Sequence, residues 1–375
     1  MVEALVAGHI CLDIIPGFLG KVAFDPGRLI EVGEAMLSTG GAVSNTGQAL
    51  HKLGIETSLC GKVGQDLFGD AIRQILERTG EGLSQGMKVS PGEASSYTVV
   101  ISLSGEDRMF LHAPGCNDTF VAADVSDEAL ANTKLIHFGY PTLMASMFAD
   151  DGAETVALLK RAKTLGATTS LDVSLPDIRG AAGKANWLGI LEQVLPYTDL
   201  FLPSVEELHF MLDRPSYDPN DTDEMSVERI RELTQRAMSM GAKVVAVKAG
   251  SRGLYLAGRQ DLSGLGRATP TCLAEWQGAE LWAPCFQIEV AGTTGAGDAT
   301  IAGLLMAWLR NMPPIQAAKA ATAIGAACCE RPDAVTGVPS WAEAEERIHA
   351  GWPSAALDLG ADWELIDGVC VRAAS

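Results

Sequence analysis

The stretch Gly292-Thr-Thr-Gly-Ala-Gly-Asp298 leads directly into residues 301–309, whose apolar side chains recur at helical spacing. The glycines allow the backbone to approach a ligand closely, and the first N–H groups of a helix attract an anion. A carboxylate such as that of Asp298 is favoured in the first turn of a helix. The alternative interpretation is a glycine-rich turn in which Asp298 only stabilises the start of the helix.

Phosphoryl transfer is the chemistry that these parts predict when they occur together. It requires N–H donors for the charge that develops on the phosphoryl group and a carboxylate that accepts the hydroxyl proton. We therefore expect Asp298 to be the catalytic base, and the consecutive N–H groups at the start of its helix to form an anion hole.

A second glycine-rich segment begins at Gly40-Gly41 and enters a helix through Ser44 and Asn45. The side chain of Asn45 both donates and accepts hydrogen bonds, which suits a polyhydroxyl ligand. An ordinary helix N-cap is the alternative role for these residues.

The two segments, in this order and at this separation, resemble the signature regions of the ribokinase-like (phosphofructokinase-B type) carbohydrate kinases. The resemblance runs from about residue 4 to about residue 340. It implies an α/β fold with a doubly wound, mostly parallel sheet, helices on both faces and a small β lid. It also implies transfer of a phosphoryl group from ATP, with Mg²⁺, to a hydroxyl group of a small-molecule substrate.

The resemblance assigns substrate contacts to Asp13, Gly41 and Asn45, and the catalytic role to Asp298. It assigns the anion hole to the backbone of Gly295, Ala296 and Gly297. Asp13 follows the first predicted strand, where a turn residue is the alternative interpretation. Arg108 lies in the predicted lid and can either form a local salt bridge or bind an anionic group of the substrate.

On the nucleotide side, the run Lys248-Ala-Gly250-Ser-Arg-Gly253 resembles the family's K-x-G-x-x-G loop, although an ordinary β-turn has the same composition. Ser204 and Glu207 stand where the family has N-x-x-E, so that Glu207 keeps a carboxylate for Mg²⁺. Thr322 stands on the helix that lines the adenine pocket in the family, where plain helix packing is the alternative.

The first acidic position of the usual D-T-T-G-A-G-D run is Gly292 in this chain. In relatives that aspartate helps to hold a monovalent cation near the anion hole. Its absence puts activation by potassium in doubt.

Composition excludes several other classes of protein. A formal net charge of −19 argues against nucleic-acid binding and against an anionic membrane surface. No apolar stretch reaches the length of a membrane span, the start lacks a basic signal-peptide region, and the eight cysteines form no C-x-x-C pair. We expect a cytoplasmic protein with incidental thiols. Neither a P-loop nor a dinucleotide-binding G-x-G-x-x-G motif is found.

Strand-like runs such as Val244–Lys248 alternate with helical patterns such as Asp66–Thr79 over most of the chain, which indicates a parallel sheet. We predict a kinase domain over residues 1–350, with lid segments at about 12–38 and 95–113. Residues 351–375 are expected to form a C-terminal appendage. The lid carries apolar side chains that permit a homodimer.

The sequence therefore predicts an ATP-dependent kinase that acts on a sugar or a sugar-like substrate. Two alternatives remain: a nucleoside kinase of the same fold, and a catalytically weak sensor that binds a sugar. The identity of the substrate depends on lid residues that the sequence does not place.

Overall fold

The computed structural model describes residues 1–20, 22, 24–103, 109–220 and 224–373. Arg108, for which the sequence leaves open a local salt bridge or an anionic group of the substrate, lies outside the described residues.

The strands and helices are numbered in chain order. The strands are β1 Val2–Gly8, β2 Cys11–Gly17, β3 Gly33–Gly40, β4 Thr57–Cys60, β5 Lys62–Gly64, β6 Lys88–Ser90, β7 Tyr97–Ile101, β8 Met109–Ala113, β9 Thr133–Gly139, β10 Thr168–Asp172, β11 Leu200–Phe201, β12 Val244–Lys248, β13 Leu254–Gly258, β14 Glu280–Ala283, β15 Trp363–Ile366 and β16 Val369–Arg372. The α-helices are α1 Ala42–Lys52, α2 Leu67–Thr79, α3 Asp127–Ala131, α4 Ala145–Thr164, α5 Ala181–Lys184, α6 Trp187–Val194, α7 Val205–Leu212, α8 Val227–Met240, α9 Leu273–Trp276, α10 Ala296–Leu309, α11 Pro314–Cys328 and α12 Trp341–His349.

The main sheet has the strand order β15-β16-β14-β13-β12-β11-β10-β9-β1-β4 within the described residues. From β4 to β12 the neighbouring strands are parallel, and from β12 to β15 they are antiparallel. Because the carboxyl ends of parallel strands share one edge, the residues that follow β9, β10, β11 and β12 come together there.

Helices cover both faces of this sheet, as alternation along β1 illustrates. Ala4 and Val6 belong to one buried cluster, which includes residues of α1, α2, α10 and α11. Leu5 and Ala7 belong to the other, which includes residues of α4, α6, α7 and α8. The predicted doubly wound α/β fold is confirmed.

A second sheet has the order β3-β2-β7-β8. Strand β2 is antiparallel to β3 and parallel to β7, and β7 forms an antiparallel hairpin with β8. These strands lie within the two segments, 12–38 and 95–113, in which the lid was predicted, except that β2 begins at Cys11 and β3 ends at Gly40. We refer to this four-stranded sheet as the lid.

The C-terminal residues after 350, expected to form an appendage, supply β15 and β16 at one edge of the main sheet. The segment 258–284 contributes β14 to the same sheet. Both segments therefore extend the main sheet rather than lying apart from it.

Strands β3 and β8 of the lid carry exposed apolar side chains. They belong to Met36, Leu37, Met109, Phe110 and Leu111. A homodimer that forms through the lid therefore stays a prediction. Among the described residues, no helix is long and apolar enough to cross a membrane.

Candidate active site

Asp298 lies in the first turn of α10, which begins directly after Gly295. Gly295 has a left-handed conformation with φ of 72°, and a Cβ there would overlap Ala334. A residue with a side chain is strained in that conformation. Glycine at this position therefore sets both the turn and the direction in which the N–H groups of the first turn point. One of them, that of Ala296, donates to the Thr293 carbonyl at 3.3 Å.

The carboxylate of Asp298 is buried, with 4% of the residue exposed. Asn45 Nδ2 donates to its Oδ2 at 3.0 Å, and Thr46 Oγ1 donates to its Oδ1 at 3.2 Å. The hydroxyl of Tyr140 donates to both oxygens, at 2.8 and 2.9 Å. The structure thus joins Asp298 to Asn45, two of the residues that the sequence selected, and adds Thr46 and Tyr140.

Tyr140 follows β9 at the carboxyl edge of the main sheet. Its φ of 63° and ψ of 44° are left-handed, which is uncommon for a residue with a side chain and tends to occur at functional sites. Its N–H donates to the Asp172 carbonyl at 3.2 Å. Burial, reinforced by the charges of Asp298 and Asp172, raises the pKa of the Tyr140 phenol well above its usual value. The hydroxyl therefore stays protonated and donates to Asp298.

Lys248 ends β12, with its Nζ 2.8 Å from Asp172 Oδ1 and 3.9 Å from Glu207 Oε2. Burial lowers the pKa of this ammonium group, but the charges of Asp172 and Glu207 outweigh burial and raise the pKa to about 12. The lysine is therefore charged. Its aliphatic chain passes Gly297, where an added Cβ would lie 3.5 Å from Lys248 Cδ. A fixed positive charge thus stands beside the first turn of α10.

Ser204 and Glu207 form a capping box at the start of α7. The Ser204 N–H donates to Glu207 Oε2 at 2.6 Å, and the Glu207 N–H donates to Ser204 Oγ at 3.2 Å. Ser204 therefore caps a helix and holds the Glu207 carboxylate beside Lys248.

A cleft of about 810 Å³ runs from these residues past α11. Its polar end includes Tyr140, Lys248, Glu207 and Asp298. Its other walls include the predicted nucleotide-contact residues Gly250, Gly253, Ser204 and Thr322, together with Phe286, Ile288 and Val290. A cleft with one charged end and one largely apolar end has the size and the chemistry to bind a nucleotide.

Gly250 and Gly253 form the turn between β12 and β13, with φ of 55° and 95°. A Cβ at Gly253 would overlap the carbonyl oxygen of Ala283. The Ala249 N–H closes this turn by donating to the Gly253 carbonyl at 2.8 Å. Thr322 is buried on α11, and its hydroxyl donates to the Lys319 carbonyl at 3.2 Å.

The predicted substrate contacts lie where the lid meets α1. Asp13 is on β2, and burial raises the pKa of its carboxyl group to about 6. A Cβ at Gly40 would overlap that carboxylate, and a Cβ at Gly41, whose φ is 87°, would lie 2.5 Å from His9 Nδ1. The glycine pair therefore allows the chain that enters α1 to pass close to Asp13 and His9.

Gly292 packs against the loop that follows α11. A Cβ there would lie 2.9 Å from the Cα of Pro332, and the Gly292 N–H donates to the Cys329 carbonyl at 3.2 Å. Lys52 reaches the same loop from α1, with its Nζ donating to the Val335 carbonyl at 2.8 Å. Backbone atoms of this loop therefore occupy the space into which a side chain at position 292 would extend. The Lys52 ammonium group binds the same loop nearby.

Several buried polar atoms around the site have no hydrogen-bond partner among the described residues. They include Asn45 Oδ1, Asp172 Oδ2, and both ring nitrogens of His9. Burial lowers the pKa of His9 to about 3, with a smaller effect of His112, so its imidazole is neutral. Because buried polar groups are normally paired, these atoms mark positions where ligands or water bind. The unpaired Oδ2 of Asp172, together with the nearby carboxylate of Glu207, is a suitable ligand for a hard divalent cation.

Comparison with known proteins identifies a family and several similar proteins. A family model described as pfkB family carbohydrate kinase matches residues 3–341. The chain is 26% identical to an uncharacterized sugar kinase of Archaeoglobus fulgidus, over 77% of this chain and 98% of the relative. It is 23% identical to fructokinase-2 of Oryza sativa subsp. japonica, over 91% and 92%. The crystal structure of fructokinase with bound ATP from Xylella fastidiosa is similar with a TM-score of 0.72, at 19% identity, covering 93% of this chain and 99% of that one.

Proposed function

Since the chain belongs to the pfkB family of carbohydrate kinases, we propose that it transfers the γ-phosphoryl group of ATP to a hydroxyl group of a sugar. The observation that carries the proposal is the buried carboxylate of Asp298 at the start of α10. This carboxylate lines the cleft and accepts a hydrogen bond from Asn45. A base at this position can serve a hydroxyl group on one side and a phosphoryl group on the other.

Asp298 accepts the proton of the acceptor hydroxyl as the phosphoryl group is transferred. Its two oxygens offer about four lone-pair sites, and three donors, from Asn45, Thr46 and Tyr140, leave room for the acceptor. These donors fix the orientation of the carboxylate. A positioned general base contributes roughly 10²–10⁴-fold to such a reaction.

ATP fits the cleft, with its phosphate groups toward Lys248 and its adenine toward Thr322. The N–H groups of Gly295, Ala296 and Gly297 stabilise the transferring phosphoryl group. Mg²⁺ would be held by the carboxylates of Glu207 and Asp172, and it would neutralise part of the phosphate charge. The strongly negative protein thereby binds an anionic substrate through local positive groups.

The acceptor binds between the lid and α1, where Asp13, Gly41 and Asn45 present polar groups. Strand β2 carries Asp13 and is part of the lid sheet. Closure of the lid over the acceptor excludes water and limits hydrolysis of ATP.

A panel assay tests the proposed function. ATP consumption is measured with each member of a panel of sugars and nucleosides. The melting temperature of the protein is measured with the same compounds. We expect ATP consumption that depends on at least one sugar. Consumption with nucleosides alone would identify a nucleoside kinase, and stabilisation without consumption would identify a sensor; either result would overturn the proposed function.

Two glycines of the anion hole are expected to differ sharply in their tolerance of alanine. Gly295→Ala places a side chain in a left-handed conformation and against Ala334, so we expect kcat to fall roughly tenfold or more as the first turn of α10 shifts. Gly297→Ala makes only an ordinary contact with Lys248 and is the matched control. Steady-state kinetics and melting temperatures of both variants provide the check. Equal activity of the two variants would contradict the predicted geometry.

Activity is expected to depend weakly on potassium. Gly292 has no side chain to ligate a cation and its surroundings are closed by Pro332, while the Lys52 ammonium group already binds the adjacent loop. The initial rate in potassium chloride is compared with that in sodium chloride at equal ionic strength. A large rate increase specific to potassium would refute this expectation.

A further inference from the structure

A nitrogen- and sulfur-containing cluster lies beside the proposed acceptor site. The coordinating atoms of His9, Cys11 and His112 all lie within 4.8 Å of one another. His9 follows β1, Cys11 begins β2, and His112 is on β8, so the main sheet and the lid both contribute. We propose that these side chains, with Asp13, bind a zinc ion that holds the lid against the main sheet.

The register of the lid strands brings these residues to one face. Asp13 is paired with Thr98 across β2 and β7, and Thr98 is paired with His112 across β7 and β8. Directly paired residues project to the same face of a sheet, as do residues two apart along a strand, such as Cys11 and Asp13. The cluster is therefore built into the pairing of three strands.

His9 faces this cluster from the end of β1. It is 2% exposed, and neither ring nitrogen has a hydrogen-bond partner among the described residues. Its ring centroid lies 5.2 Å from that of His112. A buried imidazole without partners points to a missing ligand, and the lone pair of a neutral imidazole is what a zinc ion requires.

The surrounding hydrogen bonds orient the other ligands. Thr98 Oγ1 is 3.0 Å from His112 Nδ1, which leaves Nε2 for the ion. Cys11 Sγ is 3.3 Å from Asp13 Oδ1 and 3.5 Å from Thr98 Oγ1. Hydrogen bonds such as those of Thr98 fix the orientation of metal ligands in known sites, whereas Asp13 lies beside Cys11 as a further ligand.

The donor set and its charge favour zinc. Two imidazoles, one thiolate and one carboxylate make a four-coordinate set that is typical of zinc, whereas magnesium and calcium prefer oxygen alone. A thiolate and a carboxylate together balance the two positive charges of the ion, so the site, in which His9 and Cys11 are buried and His112 is exposed, carries no net charge. Binding displaces the proton of the Cys11 thiol to solvent. The ligand atoms of His9, Cys11 and His112, which lie within 4.8 Å of one another, must move closer by roughly 1 Å at most to reach the spacing of a tetrahedral zinc site.

Zinc and the acceptor are expected to compete, because both use Asp13. This consequence rests on the proposed function, whereas metal binding itself does not. Zinc should therefore raise the apparent KM for the acceptor without lowering kcat. Inhibition that lowers kcat and leaves the acceptor KM unchanged would refute the shared use of Asp13.

Cobalt(II) is the probe for the site, with the full-length protein freed of metal and without ATP or acceptor. We expect one equivalent to bind with the visible bands of a tetrahedral ion and the near-ultraviolet charge-transfer band of a thiolate ligand, and zinc to displace it. Because this readout does not depend on turnover, it remains informative even if the kinase proposal fails.

Two variants and one control complete the test. Cys11→Ser should abolish the thiolate band, and His112→Asn should weaken cobalt binding roughly tenfold or more. Cys272→Ser replaces a partly exposed thiol outside the cluster, and it should change neither the thiolate band nor cobalt binding. Melting temperatures establish whether each variant is folded. If Cys11→Ser does not fold, cobalt binding by His112→Asn provides the test. No thiolate band in the unmodified protein, or a band that persists in folded Cys11→Ser, would overturn the proposal.

Discussion

Asp298→Asn is expected to lower kcat roughly 10²–10⁴-fold while ATP still binds. The amide has the size of the carboxylate but cannot accept the proton of an acceptor hydroxyl. The amide also places an N–H group where the carboxylate accepts hydrogen bonds. The present donors are Asn45, Thr46 and Tyr140. Loss of turnover with retained binding is the expected signature of a missing base.

The measurement is steady-state kinetics at saturating substrates, with ATP binding followed by calorimetry. Thr46→Val is the matched control, because it removes one donor at 3.2 Å from the same carboxylate but leaves the base in place. We expect a much smaller loss of kcat from that change. Turnover of Asp298→Asn close to that of the unmodified protein would exclude Asp298 as the base.

Lys248→Met is expected to destabilise the fold by about 3–5 kcal/mol, in addition to weakening ATP binding. The change removes the ammonium group at 2.8 Å from Asp172 Oδ1, and Asp172 is fully buried. Its carboxylate would then be left with Glu207 nearby and without a positive charge. An uncompensated buried charge is costly because the protein interior solvates it poorly.

Urea unfolding of the variant and of two controls measures this effect. In Lys248→Met/Asp172→Asn both partners are neutral, so much of the lost stability should return. Arg28→Met breaks an exposed pair with Asp25, and little change is expected there. A small destabilisation by Lys248→Met, similar to that by Arg28→Met, would mean that the buried pair is not a structural element of the site.

Local patterns were sufficient to predict many elements of the fold. Strand β12 has the predicted bounds, Val244–Lys248, because it is an apolar run buried on both faces. Helix α2 begins one residue after the predicted start, since Asp66 is its N-cap and accepts a hydrogen bond from the Gly69 N–H at 2.8 Å. In both cases neighbouring residues alone determine the structure.

The C-terminal strands were missed although the sequence contains a signal for them. Asp367 and Gly368 join β15 to β16, with φ of 48° and 77°. An Asp-Gly pair between short strands is typical of a tight hairpin turn. The weak alternation of Trp363–Ile366, whose side chains are mostly exposed, obscured the strand that precedes the turn.

The candidate site was predictable in its motifs and not in its contacts. The sequence selected Asp298 and Asn45, which the structure joins across 253 positions of the chain. Thr46 and Tyr140 were missed because their role depends on tertiary placement. Tyr140 adopts a left-handed conformation at the edge of the sheet, and no pattern in the neighbouring residues indicates it.

Direct transfer of label from ATP tests the central claim, which is that Asp298 serves phosphoryl transfer from ATP to a sugar hydroxyl. The protein and its Asp298→Asn variant are incubated with ATP labelled in the γ-phosphate and with each member of the sugar and nucleoside panel. We predict that the label appears in at least one sugar with the unmodified protein, and that the variant transfers it at least roughly 100-fold more slowly. Compounds that bind and stabilise the protein but never acquire the label, or transfer that proceeds unchanged in the variant, would contradict the account.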